Sequence, residues 1–78
     1  MVHTPIQIEE TYITLGQFLK HANVISSGGM AKPFLEQFEV YVDGELENRR
    51  GKKLYNGTVV DIPEVGSFVV ESLKTEDA

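Results

Sequence analysis

Arg49, Arg50, Lys52 and Lys53 fall within five residues, in the run Asn48-Arg49-Arg50-Gly51-Lys52-Lys53, and no acid occurs from Asn48 to Gly57. Cations so closely spaced suit one kind of chemistry, the holding of phosphate oxygens: Arg as a planar fork, Lys as a point charge. The bland alternative is a solvated charged loop. A second anion-binding candidate lies upstream, where Ser26-Ser27-Gly28-Gly29 precedes Lys32. N–H groups at a helix start attract phosphate, and glycine lets an anion approach closely. The run is not a P-loop, because GxxxxGK[ST] is absent and no strand leads into it. Three readings stay open for it: glycines that only turn the chain, a phosphate contact on nucleic acid, or a mononucleotide site. Tyr41 and Tyr55 are candidates for stacking on unpaired bases, with packing at the edge of a core as the alternative for each.

Catalysis and metal binding have little to build on. There is no cysteine, which removes thiolate ligands, a thiol nucleophile and disulfide staples together. Of the two histidines, His3 lies near the start, and His21 reads as a favourable cation near a helix C-terminus. Glu9-Glu10 and Glu45/Glu47 read as solvated surface. The expectation is no catalytic residue, no metal and no cofactor. The net charge of −5 argues against a general, sequence-blind coat on nucleic acid. Much of the negative charge sits away from the loop, at Glu9, Glu10, Asp61, Glu64, Glu71, Glu76 and Asp77. Such a chain grips one anionic partner at its basic spot while its other faces repel polyanions.

The elements that must position these groups follow from the hydrophobic pattern. Leu15, Phe18, Leu19 and Ala22 recur at helical spacing, with Thr14 and Gln17 as a capping box and Asn23 as a stop. Val24 and Ile25 form an apolar link tucked between two helices. Met30, Ala31, Phe34, Leu35 and Phe38 mark one face of the second helix, with Phe34 in the core. Pro33 conflicts with a helix that starts at Ser27, so the regular helix begins near Met30 and Ser26 to Gly29 is an irregular turn. Val40 and Val42 alternate with Glu39, Tyr41 and Asp43, as in a half-buried strand. Asp43-Gly44 then marks a hairpin, because a type I′ turn needs positive φ at both central residues. Leu54-Tyr55, a turn at Asn56-Gly57, a strand over Thr58 to Ile62, a turn at Pro63 to Gly66 and a strand over Ser67 to Leu73 complete the pattern, with Phe68 and Val70 facing in. Ile6 to Ile8 is a short edge strand, and residues 1–5 and 74–78 are loose tails.

Seventy-eight residues make one small domain that buries only about 60–65% of its unfolded surface. The N-terminus MVHTPIQIEE has no basic or apolar run, and no stretch approaches the length of a membrane span. The expectation is a cytoplasmic chain without a membrane partner.

In this order the motifs ITLGQFLK, SGGMAK, EVYVDGE and NRRGKKL, spread over about residues 13 to 62, resemble the S-four RNA-binding domain, named for the fourth protein of the small ribosomal subunit. The resemblance is closest to the small stand-alone bacterial members of the YaaA type. It implies an α+β fold of the αL type, with two short helices on a small, mostly antiparallel sheet. It also implies a non-enzymatic RNA-binding module whose target is ribosomal RNA or tRNA. The RNA surface it implies is the start of the second helix with the hairpin side: Ser27, Gly28, Gly29 and Lys32, then Arg49, Arg50, Lys52 and Lys53. Two departures stand out. Broader members carry Ser-Arg-Ser where this chain has Ser27-Gly28-Gly29, so one RNA-contacting Arg is missing. They often carry Gly where Phe38 sits, and left-handed backbone at Phe is costly, so that junction differs here.

The reading is a ribosome-associated or assembly factor on structured ribosomal RNA. The competing class is a protein-interaction module using acidic strands or an open sheet edge. A β-grasp sulfur carrier, suggested by VDGE followed by NGTVVDIPEVG, lacks the C-terminal Gly-Gly such carriers use.

Overall fold

The computed structural model describes residues 3–74, so the tail residues 1–2 and 75–78 lie outside it. The chain runs β1 (Thr4–Ile8), β2 (Tyr12–Thr14), α1 (Leu15–His21), a 3₁₀ turn (Gly28–Met30), α2 (Ala31–Gln37), β3 (Tyr41–Val42), β4 (Glu45–Leu46), β5 (Lys53–Tyr55), β6 (Val59–Ile62) and β7 (Gly66–Ser72). This is an α+β fold with two short helices and a mostly antiparallel sheet. Five strands pair in the order β1-β7-β6-β3-β4, and β2 with β5 forms a separate two-stranded sheet. One pairing departs from the antiparallel rule: β1 runs parallel to β7, with Thr4 opposite Phe68 and Ile8 opposite Ser72. The expected edge strand is therefore present but longer, since Thr4 and Pro5 belong to it rather than to a loose tail. Pro5 is tolerated because an edge strand can spare an N–H.

One face of the large sheet is buried. Val60 and Ile62 on β6, and Phe68, Val70 and Ser72 on β7, alternate with more exposed neighbours. Against them pack Leu15, Phe18 and Leu19 of α1, Ile25 of the link, and Ala31 and Leu35 of α2. Phe18 and Phe68 meet edge to face at 5.9 Å, a favoured aromatic geometry.

Local rules account for most boundaries. Thr14 caps α1: its Oγ1 accepts from the Gln17 N–H and its own N–H donates to Gln17 Oε1, each at 3.4 Å. Asn23 takes the left-handed conformation after the helix (φ 64°), which Asn tolerates better than most residues. Asp43 and Gly44 have φ of 51° and 87°, as a type I′ turn requires. The Asp43 side chain also accepts from the Val59 N–H at 3.0 Å, tying the hairpin to β6.

The second helix differs from expectation in its packing. It begins at Ala31 after the 3₁₀ turn, so Pro33 is its third residue, where an N–H has no partner within the helix. Ala31 and Leu35 carry the core contact, whereas Phe34 is only half-buried and Met30 and Phe38 are exposed. A seven-residue helix lying on a small sheet buries a narrow stripe, and the broad apolar face exceeds it. Phe34 and Phe38 stack on each other at 4.8 Å at the margin. Phe38 itself is extended (φ −121°, ψ 146°), so the junction needs no left-handed residue.

Candidate nucleic-acid interface

The basic loop is docked on α1 through its backbone. The first N–H groups of the helix, at Leu15 and Gly16, donate to the carbonyls of Lys52 (2.8 Å) and Arg50 (2.9 Å). Groups that a helix start leaves unpaired thus hold the loop in place, continuing the β2–β5 ladder in which Thr14 faces Lys53. Main-chain carbonyls turn to the helix, and the side chains of Arg50 and Lys53 remain exposed while Lys52 is half-buried. Gly16 is needed here for close approach. A Cβ at that position would lie 3.3 Å from both the Ala31 and Arg50 Cβ atoms and 3.4 Å from the Arg50 carbonyl oxygen.

The same contact joins the two stretches that the sequence separates. Ala31 is the first residue of α2, and Arg50 the centre of the basic loop. Because both flank Gly16, the loop and the start of α2 with Lys32 lie side by side. Lys32 is exposed, as are Ser27, Gly28 and Gly29. Neither Gly28 nor Gly29 has positive φ, and nothing lies within 4 Å of the place a Cβ would take at either. Conformation and internal packing therefore do not explain the glycines, and the ground beside them is open to an approaching group. The Ser27 side chain makes no capping hydrogen bond.

Arg49 stands apart from the other cations. Its Nε and Nη2 donate to Glu47 Oε2 (2.9 Å) and Oε1 (3.2 Å), and its backbone N–H donates to Oε2 (3.0 Å). Glu47, expected as solvated surface, is instead a ligand of the loop: its side chain is 12% exposed against 72% for Arg49. The hydrogen bond from Arg49, foremost, holds the Glu47 carboxyl down at about 2, and the same contact raises the guanidinium pKa. A depressed carboxyl stabilises the fold above its ordinary value of 4.5 and loses that effect as pH falls toward 2. With the Arg partner largely in water, Glu47→Gln should cost about 1 kcal/mol at neutral pH. In parallel urea titrations the gap between wild type and variant should close between pH 4.5 and 2; a gap constant with pH would show that the pair adds nothing.

The two candidate tyrosines part company. Tyr41 lies opposite Asp61 on β6, and its hydroxyl donates to Glu39 Oε1 at 3.0 Å. That hydrogen bond, with the nearby negative charge, raises its pKa. Its surroundings are acidic. Tyr55 faces Tyr12 across the two-stranded sheet, with ring centroids 5.8 Å apart. Lys53 Nζ sits 4.9 Å from the centroid of Tyr12. Tyr12 carries no signal in its own neighbourhood, because only the strand register brings it to Tyr55 and Lys53. His21 also has a use that its position alone does not suggest: Nε2 lies 3.0 Å from the Gln7 carbonyl oxygen, linking α1 to β1.

Among known proteins, the S4 domain family matches residues 6–71. A relative from Bacillus subtilis (strain 168), named "Probable ribosome maturation protein RlbA", is 62% identical over 66 residues, covering 85% of this chain and 93% of its own. With a match across most of its length and a relative this similar, the chain belongs to the S4 domain family.

Proposed function

We propose that the protein is a non-enzymatic RNA-binding module acting on structured ribosomal RNA during ribosome maturation, in the cytoplasm. The observation that carries this reading is the convergence at Gly16, where the basic loop and the opening of α2 become neighbours. Phosphate contacts that position a protein on nucleic acid come from Arg and Lys side chains and from helix starts, and this surface combines the two. The maturation role is carried over from the name of the Bacillus subtilis relative. An overall charge of −5 restricts binding to that surface, which suits one shaped RNA site better than a continuous coat.

Crosslinking in cells, followed by sequencing of the attached RNA, tests the reading directly. Ribosomal RNA should dominate, and Lys32→Glu should reduce its recovery while shifting the melting temperature little, since Lys32 is exposed. Recovery of tRNA instead would change the target. Protein partners without RNA would favour an interaction module, for which the open edge at β4 offers Leu46, 61% exposed.

A further inference from the structure

We propose that Tyr55, backed by Tyr12, is a stacking platform for one unpaired RNA base, with Lys53 on that nucleotide's phosphate. The inference rests on the RNA-binding reading and adds a base contact to it. Tyr55 is 48% and Tyr12 40% exposed, although tyrosine has a large apolar ring whose burial stabilises a small fold. Their strands bury the intervening residues instead: Ile13 and Leu54 turn to the core. The outer face of this two-stranded sheet is thus left with two rings, an ammonium group and Thr14, adjoining the basic loop.

The distribution of charge around the rings sets how a nucleotide would lie. On one side stands Lys53, its Nζ 4.9 Å from the Tyr12 ring centroid. On the other, Tyr12 borders a cleft of about 860 Å³ whose lining includes Glu9 and Glu10, with Gln17, Lys20 and His21. Carboxylates repel a phosphate but accept hydrogen bonds from exocyclic amino groups of bases. A strand crossing the platform therefore places its phosphate toward Lys53 and its base over the rings. In a base-paired helix the base faces are covered by their neighbours, so only a bulged or looped nucleotide can use the site.

A short hairpin copied from the crosslinked ribosomal RNA segment with its unpaired nucleotide replaced by 2-aminopurine, and the same hairpin abasic at that position, separate this contact from general phosphate binding. Wild type should bind the 2-aminopurine hairpin about tenfold more tightly, the range of one base–aromatic stack, and should quench its fluorescence. Tyr55→Leu keeps apolar bulk on the strand but removes the aromatic face, so preference and quenching should both vanish. Tyr55→Phe should retain both, which excludes a hydroxyl hydrogen bond as the cause, and Tyr12→Leu should weaken both in part. Arg50→Gln with Lys52→Gln should weaken the two hairpins in equal proportion. Equal affinity of wild type for the two hairpins, or quenching that persists in a folded Tyr55→Leu, would overturn the platform while RNA binding stands. Failure of wild type to bind either hairpin at low salt would overturn the RNA-binding reading, and the platform with it.

Discussion

Phe18→Ala should lower the unfolding free energy by about 3–5 kcal/mol, the largest loss expected from any single side chain. Phe18 is fully buried at the point where α1 meets β7, edge to face with Phe68. Truncation removes its transfer free energy, leaves a cavity under the sheet and deletes an aromatic pair worth about 1 kcal/mol in its own right. Native domains rest on only about 5–15 kcal/mol, and one this small has little surplus. Phe34→Ala provides the internal control. At the margin of the core and already half-exposed, Phe34 should cost less than half as much. Urea denaturation of both variants checks the ordering. If Phe34 proves the costlier position, α2 packs through the broad face that its spacing suggests rather than through Ala31 and Leu35.

The second large effect concerns salt. Replacing Arg50, Lys52 and Lys53 together by Gln should leave the loop folded, because its anchors are the backbone carbonyls of Arg50 and Lys52. RNA affinity should fall, and the slope of log K against log salt should become shallower by roughly two to three, at about 0.7–0.9 per phosphate contact. Between 50 and 200 mM salt, wild type should therefore lose roughly 20- to 40-fold more affinity than the variant. Arg49→Gln should change the slope less than any of the other three, since Glu47 already occupies its guanidinium. A full unit of slope from Arg49 would mean that RNA displaces Glu47. An unchanged slope in the triple variant would reduce the loop to a solvated face.

Where the sequence could be read, the determinants were local. Asp43-Gly44 forces a hairpin whatever surrounds it. Thr14 and Gln17 cap a helix with groups three residues apart, and Pro33 limits where the next helix can start. The α+β architecture follows from these and from alternation on β6 and β7. The candidate phosphate ligands were legible one stretch at a time, but their adjacency was not: it depends on Gly16, a residue with no charge and no turn to announce it. The pairing of Arg49 escaped for a simpler reason. Glu47 and Arg49 are two apart in an extended segment, where alternate residues share a face, yet the acid-free window starting at Asn48 hides the carboxylate just outside it. Tyr12 and Tyr55 meet through strand register, and β1 finds β7 across some sixty residues of sequence; neither pattern is written in any local window. Phe34 misled because spacing shows which residues share a helix face, not how much of that face a small sheet can cover.

The parallel pairing of β1 with β7 bears on when the molecule can come into being. Strand β7 lies between β1 and β6 and supplies Phe68 to the contact with α1. A ribosome delivers the chain from its N-terminus, so β1 emerges early and must wait, unpaired, until residues 66–72 have followed it. Until then the sheet is in two pieces and Phe18 lacks its partner. Contacts this distant in sequence are slow to close, so the large sheet is completed only once residues 66–72 are available. A nascent chain therefore carries Arg50, Lys52 and Lys53 before the core behind α1 can be completed.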